Sequence, residues 1–256
     1  MTETVVAALA GLFGLAVGSF LNVCIYRLPR GESLAWPGSR CPACRQPIRW
    51  HDNVPVFGWL SLHGRCRQCA APIALTYPVV ELITGLLFAA HVWAFGWQPL
   101  LVPRLLFACA MVVLFAIDFE HQLLPNAVTY PGIVAGLAFS LVFPPGWKDA
   151  VLGLILGGGS LWLLAEAWYR LRKVEGLGGG DIKMLAMIGA FLGWQQVLLT
   201  LVLSSFVGSI VGGLLIASRR GTLASKLPYG TFLAMAAVVA SLVGQRLVAW
   251  YVSLYR

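Results

Sequence analysis

Charged side chains are scarce in this sequence of 256 residues, where Asp, Glu, Lys and Arg together make up 11%. Soluble domains have about 25% charged residues, so this chain has too few to cover a globular surface in water. Hydrophobic residues make up 59%, and the mean hydropathy is +0.81. The composition excludes a disordered chain and a secreted disulfide scaffold, argues strongly against a soluble enzyme, and indicates a polytopic membrane protein.

Eight apolar segments predict an all-α membrane protein with about eight transmembrane helices. A helix needs ~20 apolar residues to cross the hydrocarbon core of a bilayer. We interpret the stretch 184–218 as two helices, because Trp194 and two glutamines interrupt it. One bent helix there, and so seven spans, is the main alternative. The predicted spans are 4–26, 78–96, 101–117, 127–144, 149–169, 184–195, 196–218 and 229–252.

The basic residues orient these helices, because Lys and Arg collect in cytoplasmic loops. Of the 18 basic residues, 14 lie in the four loops that share one side of the membrane. We therefore expect both termini outside, and we expect no nucleic-acid partner for the net charge of +8. Glu3 and the absence of a basic n-region argue against a cleaved signal peptide. The loops assigned to the cytoplasm are 27–77, 118–126, 170–183 and 219–228.

Glycines at a spacing of four recur in three apolar segments. The pairs are Gly14/Gly18, Gly153/Gly157 and Gly208/Gly212. Small residues at this spacing let helices approach closely in lipid, so the pairs predict tight helix crossings and need no functional explanation.

The loop 27–77 contains two Cys-x-x-Cys knuckles. With 21 residues between the knuckles, four thiolates could complete a tetrahedral shell, which suits zinc. The alternatives are a redox dithiol pair or thiols without a metal. A zinc ion would staple a cytoplasmic loop too small for a sufficient core of its own. The predicted ligands are Cys41, Cys44, Cys66 and Cys69.

Two histidines, His51 and His63, lie between the knuckles. Either could replace a thiolate as ligand. Since four cysteines already fill a tetrahedral shell, we expect both histidines on the surface.

Two aspartates stand at the ends of apolar segments. Asp118 ends the third span, and Asp181 follows a glycine-rich run and precedes the sixth span. The predicted topology brings both to the cytoplasmic face, although they lie 63 residues apart. Two carboxylates in one apolar cleft share a proton, so one can act as a base and the other as an acid, as in aspartic proteases.

The residues alone leave other interpretations open. Intramembrane carboxylates also serve proton relays and ion sites in transporters, and they can be structural. The glycines before Asp181 could form a hinge, or could let the backbone approach a substrate strand closely. A nucleotide-binding loop is a weak interpretation, because no strand precedes the glycines.

Several motifs, in order, resemble those of bacterial type IV prepilin peptidases, which are bifunctional leader peptidases and N-methyltransferases. The resemblance covers nearly the whole chain. The motifs are Gly18-Ser19-Phe20-Leu21-Asn22-Val23, Tyr26-Arg27-Leu28-Pro29, Trp50-His51-Asp52-Asn53-Val54-Pro55, Tyr77-Pro78-Val79-Val80-Glu81-Leu82, Ile117-Asp118, His121-Gln122-Leu123-Leu124-Pro125 and Gly178-Gly179-Gly180-Asp181-Ile182-Lys183.

The resemblance implies a two-step activity. Members of this family cleave the short basic leader of prepilins and pseudopilins after a glycine, on the cytoplasmic side of the inner membrane. They then methylate the new N-terminal residue, usually phenylalanine, with S-adenosylmethionine. By this resemblance Asp118 and Asp181 are the catalytic aspartates, and the four paired cysteines bind zinc. Gly178, Gly179, Gly180 and Lys183 would lie where the substrate approaches.

The site of the methyl donor carries no motif of its own. The family's methylation activity is associated with the N-terminal half, where Asn22, Asp52 and Glu81 are the polar candidates near the cytoplasmic face. A peptidase without methyl transfer, with the N-terminal half as a docking module, remains open. So does a carboxylate-bearing transporter.

The chain departs from the family pattern at one position. Asn126 stands where the family often has aspartate, and we expect it to cap the following helix. The predicted division is a first transmembrane helix at 1–26, a cytoplasmic tetracysteine domain at 27–77 and a helical peptidase domain at 78–256.

Overall fold

The computed structural model describes residues 2–174, 178–218 and 227–254. Within these ranges the regular structure is helical, with two short 3-10 turns, nine α-helices and no β-strand beyond two isolated bridges. The helices are α1 (Thr2–Arg27), α2 (Phe57–Ser61), α3 (Thr76–Phe95), α4 (Leu101–His121), α5 (Asn126–Ser140), α6 (Trp147–Arg172), α7 (Gly179–Leu192), α8 (Trp194–Ala217) and α9 (Tyr229–Ser253).

The all-α prediction is confirmed, and each predicted apolar segment corresponds to one α-helix. Six helices are long and apolar enough to cross a membrane, namely α1, α3, α4, α6, α8 and α9. The other two, α5 and α7, have 15 and 14 residues. At ~1.5 Å per residue, each falls short of a ~30 Å hydrocarbon core. The chain is a multi-pass membrane protein.

The stretch 184–218 is two helices, as the sequence favoured. Helix α7 ends and α8 begins at Gly193, whose φ is +83°. Residues other than glycine rarely adopt this backbone conformation, so a glycine at this position allows the chain to change direction abruptly.

By its internal contacts the chain divides into unit 1, Met1–Val113, and unit 2, Leu114–Arg256. In unit 1, α1 packs along α3. A Cβ atom on Gly14 would lie 2.9 Å from Cα of Gly85, and one on Gly18 would lie 2.7 Å from Cα of Glu81. The first glycine pair therefore forms a tight crossing, as predicted. The three-part division at 1–26, 27–77 and 78–256 stays a prediction.

Helix α7 lies at the centre of unit 2. Its residues 184–192 are all buried, and α5, α6, α8 and α9 pack around it. A helix that is apolar on every side is stable only where neighbours cover it completely. This enclosure covers the body of α7, and Asp181 lies in the half-buried first turn before it.

Glycines bring α6 against α7. A Cβ on Gly153 would lie 2.5 Å from the carbonyl oxygen of Gly189, and one on Gly157 would lie 2.5 Å from that of Leu185. The predicted close packing of this pair is confirmed. The third pair is packed less tightly. A Cβ on Gly208 would lie 3.5 Å from the Phe232 side chain, and one on Gly212 would lie 3.2 Å from the Leu227 side chain.

We expect Gly153→Ala to destabilise the protein, because the new methyl group would collide with the backbone of α7. Overpacking of this kind costs about 1–3 kcal/mol. The matched control is Gly159→Ala, six residues along α6, where a Cβ would have open space around it. Thermal unfolding of the detergent-solubilised protein measures both variants. An equal midpoint for Gly153→Ala and the wild type would contradict the close crossing.

Candidate active site

The two Cys-x-x-Cys knuckles have the same backbone geometry. In the first, the Cys41 N–H donates to Gln46 O at 3.0 Å, and in the second the Cys66 N–H donates to Ala71 O at 2.8 Å. The residue after each second cysteine, Arg45 or Ala70, has a φ near +60°. Each knuckle is thus a tight turn that points two sulfurs the same way.

The two turns bring four sulfurs together. The ligand atoms of Cys41, Cys44, Cys66 and Cys69 all lie within 4.8 Å of one another, so this cluster could hold a metal ion. His51 and His63 are exposed, and neither belongs to the cluster. The predicted grouping of the four cysteines is therefore confirmed.

The electrostatics of the sulfurs fit a cation. N–H groups of Cys69 and Gln68 lower the pKa of the Cys66 thiol to about 6. The pKa of the Cys44 thiol lies at about 11, because burial and the neighbouring sulfurs outweigh the lowering effect of the Gln46 N–H. The Cys66 thiolate therefore forms readily, whereas ionisation of the Cys44 thiol is opposed. A divalent ion removes that opposition, since it favours the thiolate at every ligand.

A cavity of about 720 Å³ in unit 1 gathers the three polar residues considered for the methyl donor. Asn22, Asp52 and Glu81 all line it, together with Cys41 and Cys66 of the knuckles and the aromatic side chains Tyr26, Trp36, Trp59 and Tyr77. Ligand sites usually measure about 300–1,000 Å³ and combine apolar walls with a few polar groups.

Each of the three polar residues also holds part of the cavity wall. Asn22 Nδ2 donates to Tyr77 O at 3.0 Å, and the Val56 N–H donates to Glu81 Oε2 at 2.8 Å. Arg67 donates to both carboxylate oxygens of Asp52, at 2.8 and 2.6 Å, and lowers the pKa of that carboxyl. The sequence offered no sign that the Val56 N–H would bind Glu81. The Val56 φ of +62° is rare for a β-branched residue and marks a constrained loop.

Asp118 lies at the end of α4 and is 5% exposed. Its Oδ2 accepts two hydrogen bonds from Thr231, one from the backbone N–H at 2.7 Å and one from the hydroxyl at 3.0 Å. Thr231 is the third residue of α9, where backbone N–H groups have no acceptor within the helix. The Asp118 carboxylate therefore caps α9.

Asp181 lies in the first turn of α7. Its backbone N–H donates to Gly178 O at 3.1 Å, and a Cβ on Gly178 would lie 3.4 Å from Asp181 Oδ2. Asp181 lies within range of the charge of Asp118, and Leu124 lies against both Gly180, which precedes Asp181, and Gly230, which adjoins the Asp118 carboxyl. The structure thus brings together two aspartates that are distant in sequence.

Leu124 packs between the starts of α7 and α9. A Cβ on Gly180 would lie 3.0 Å from Leu124 Cβ, and a Cβ on Gly230 would lie 3.0 Å from Leu124 Cδ1. The Gly230 position is also 3.0 Å from Asp118 Cγ. Glycine at 180 and 230 therefore allows the starts of α7 and α9 to close around Leu124 and the carboxylates.

Of the predicted approach residues, Gly178 and Gly179 are exposed, and a Cβ on Gly179 would meet no atom within 4 Å. Lys183 Nζ donates to Asn126 Oδ1 at 2.6 Å and lies 5.4 Å from the centre of the Tyr130 ring. The expectation that Asn126 caps α5 is wrong. Pro125 takes the capping position, and the Asn126 side chain binds Lys183 instead. Gly176 and Leu177, earlier in the glycine-rich run, lie outside the described residues.

Sequence reasoning missed Thr231, Gly230 and Leu124 as parts of this site. A usable signal existed for the first two, since Pro228-Tyr229-Gly230 opens an apolar helix, and the first N–H groups of a helix attract carboxylates. Nothing local in the sequence connects Leu124 to either glycine.

Two family models match the chain. One, described as Bacterial Peptidase A24 N-terminal domain, matches residues 12–95, and the other, described as Type IV leader peptidase family, matches residues 105–213. The first therefore covers the cavity and the cysteines, and the second covers both aspartates.

Among similar proteins are three named prepilin leader peptidase/N-methyltransferase. The protein of Myxococcus xanthus is 43% identical over 80% of this chain and 62% of its own length. Those of Aeromonas hydrophila and Pseudomonas aeruginosa are 39% and 36% identical, over 96% and 94% of this chain and 93% and 91% of their own lengths. No solved structure matches the chain. With this identity over nearly the full length, the chain belongs to the type IV leader peptidase family.

Proposed function

We propose that this protein cleaves the leader peptide of type IV prepilins and pseudopilins after a glycine and then N-methylates the new N-terminal residue, usually phenylalanine. The relatives named above carry both activities in their names, and two of them align over more than 90% of their length. The observation that carries the peptidase half is the pair of Asp118 and Asp181 in the apolar frame of unit 2.

In this proposal the two aspartates divide general acid–base catalysis. One carboxylate takes a proton from a water molecule, which then attacks the scissile carbonyl carbon. The other carboxyl group supplies a proton to the reacting peptide. Because like charges so close together do not both ionise comfortably, a shared proton suits the pair. Exposed Gly178 and Gly179 leave room for an extended leader beside Asp181.

We propose that the site faces the cytoplasm and that both termini lie outside the bacterial inner membrane. The distribution of Lys and Arg supports this orientation. Part of that argument rests on Arg219, Arg220 and Lys226, which lie outside the described residues. Asp118 lies in the last turn of α4 and Asp181 in the first turn of α7, in keeping with substrate entry from one face.

We propose zinc as the ion of the cysteine cluster. Four thiolates on two turns are the donor set of closed structural zinc sites, with no position left for substrate. The residues that would hold it are Cys41, Cys44, Cys66 and Cys69. Cys41 and Cys66 also form part of the cavity wall. An ion held by them would therefore help to keep that wall in place.

The cavity of unit 1 fits S-adenosylmethionine by size and by lining. When bound, this cofactor would supply a methyl group from a positively charged sulfonium. The aromatic walls suit a purine ring, and the lining offers side chains of both charges, among them Glu81, Asp52 and Arg67. We therefore propose that Asn22, Asp52 and Glu81 shape and orient the donor site, which is separate from the aspartates in sequence.

One experiment tests both halves of the proposal. Purified protein is incubated with a prepilin and labelled S-adenosylmethionine, and the pilin N-terminus is analysed by mass spectrometry. We expect a shortened pilin that carries one methyl group on its new N-terminal amine. Shortened but unlabelled pilin would indicate a peptidase without methyl transfer. Unchanged prepilin would contradict the proposed function and reopen the transporter hypothesis.

We expect cleavage and methylation to be separable by mutation, because the two steps need different groups. Asp181→Asn should leave methylation of a pre-cleaved, phenylalanine-starting peptide largely intact. Glu81→Gln should weaken cofactor binding and methylation more than cleavage, since Glu81 lines the cavity of unit 1. Both rates are measured with the matching peptide substrates.

The control for Glu81→Gln is Glu166→Gln on α6, where the carboxylate pairs with Arg170 at 2.7 Å, away from the cavity. This control should change neither rate. Loss of methylation in folded Asp181→Asn protein would mean that the two activities share one site.

A further inference from the structure

The hydrogen bonds around the two aspartates are unequal. Asp118 Oδ2 accepts both the N–H and the hydroxyl of Thr231, which is 4% exposed and lies at the start of α9. In the part of the chain that the structure describes, the Asp181 carboxyl group has one such contact, a hydrogen bond from the backbone of Gly178, which is exposed. Asp118 therefore has two buried donors from Thr231, whereas the donor described for Asp181 lies at an exposed residue.

Donors directed at a carboxylate favour its ionised form over its protonated form. The start of α9 adds to the effect, because the first N–H groups of a helix carry partial positive charge. The two donors are buried, where hydrogen bonds to a charged group are stronger than in water. These contacts break the symmetry of the pair, since a shared proton then resides on Asp181, whose described donor is the backbone of exposed Gly178.

We propose that Thr231 is a positioning residue that keeps Asp118 ionised, so that Asp118 is the base and Asp181 is the acid of leader cleavage. The proposal rests on the catalytic pair described under the proposed function. Thr231 does not need to touch the substrate. It acts through Asp118, whose Oδ2 it occupies, and leaves Oδ1 for the attacking water.

The proton movements balance with this assignment. Asp118 takes a proton from water, and the oxygen of that water bonds to the carbonyl carbon of the leader glycine. Asp181 gives its proton to the carbonyl oxygen, which forms a gem-diol. The C–N bond then breaks while Asp118 returns its proton to the leaving amine, and a gem-diol proton goes back to Asp181. One water and one peptide bond yield one carboxylic acid and one amine.

A pH-dependence test is specific only if no other titrating group faces Asp118. In the part of the chain that the structure describes, α7 presents Asp181 to it, and that group is the other half of the pair. Helix α9 presents Gly230 and Thr231, and the segment after α4 presents Leu124. None of these three side chains titrates, and besides burial the groups that act on the Asp118 carboxyl are the N–H and the hydroxyl of Thr231. A movement of the acidic limb that follows loss of this hydroxyl, and is absent when serine keeps it, therefore reports on the contact between Thr231 and Asp118.

The test compares pH profiles of kcat/KM for leader cleavage in Thr231→Val and Thr231→Ser. The valine variant keeps the shape of threonine and loses the hydroxyl. We expect its acidic limb to move to higher pH by about one unit, with about tenfold lower kcat/KM on that limb and a near-normal alkaline plateau. The separate variant Thr231→Ser keeps the hydroxyl and should therefore show the same pH profile as the wild type.

A matched control is Thr200→Val. Thr200 is also fully buried in unit 2, but its hydroxyl donates to Gln196 O of its own helix at 2.8 Å. This change should not move the acidic limb. If Thr231→Val does not fold, Thr231→Ala removes the same hydroxyl with a smaller side chain, and methylation of pre-cleaved peptide reports whether the variant is intact.

Two failures are distinguishable. A Thr231→Val profile that is unchanged, or lowered equally at every pH, while Asp118→Asn is inactive, would overturn the assignment to Thr231 and leave the catalytic pair standing. Normal cleavage by Asp118→Asn would instead overturn the proposed function. A limb that moves with Thr231→Val and returns with Thr231→Ser supports the assignment of Asp118 as the base.

Discussion

Replacing Asp118 or Asp181 with asparagine is expected to lower the rate of leader cleavage by at least about a hundredfold, because a positioned acid or base contributes about 10²–10⁴ in rate. An amide neither takes a proton from water nor gives one to a peptide. The two groups act as a unit, so the double variant should lose little more than either single variant. Cleavage of a prepilin by purified protein, followed by mass spectrometry, measures the loss.

The control for this prediction is Asp149→Asn. Asp149 is an exposed carboxylate in the first turn of α6 and takes no part in the contacts around Asp118. Its replacement should leave cleavage near normal. Near-normal cleavage by a folded Asp118→Asn or Asp181→Asn protein would show that the hydrolytic groups lie elsewhere.

Replacing Cys41 and Cys44 with serine is expected to release about one zinc ion per chain and to loosen residues 30–75. Two ligands of four are lost, and the remaining pair cannot close a tetrahedral shell. In the loop 27–77 most of the described backbone hydrogen bonds close short turns. In such small segments the free energy of metal binding contributes directly to the free energy of folding. Elemental analysis measures the metal content, and X-ray absorption should give a Zn–S distance of ~2.3 Å in the parent protein. Hydrogen exchange measures how well the amides of residues 30–75 are protected.

Cys109→Ala serves as the control, because Cys109 lies in α4 and outside the four-sulfur cluster. It should keep the full zinc content. A parent protein that contains no metal, yet protects residues 30–75 from exchange as well as a zinc-bound one, would contradict the structural site. Since Cys41 and Cys66 line the cavity of unit 1, we expect zinc loss to reduce methylation before cleavage.

Local patterns in the sequence were sufficient for the helices and the metal cluster. Apolar length predicted eight long helices, and Trp194 with the glutamines after it indicated the break that Gly193 makes between α7 and α8. The two Cys-x-x-Cys spacings predicted the four-sulfur cluster, because each knuckle is one tight turn that positions both of its sulfurs. Such features depend on neighbours along the chain, so they can be read without a tertiary structure.

The length of the short helices could not be judged in this way. Hydropathy predicted spans at 127–144 and 184–195, whereas α5 and α7 have 15 and 14 residues. An apolar segment looks the same in sequence whether lipid or protein surrounds it. Complete enclosure by α5, α6, α8 and α9 is what makes α7 a core helix.

The two candidate aspartates followed from sequence, but their unequal surroundings did not. Asp118 and Thr231 lie 113 residues apart, and their contact depends on how α4 and α9 are rotated about their axes. Hydropathy reports which segments are helices and leaves that rotation undetermined. The same reason hid Leu124 between Gly180 and Gly230, the hydrogen bond from Lys183 to Asn126, and the common cavity of Asn22, Asp52 and Glu81. Packing of small residues at helix crossings decides these long-range contacts, and only the tertiary structure displays them.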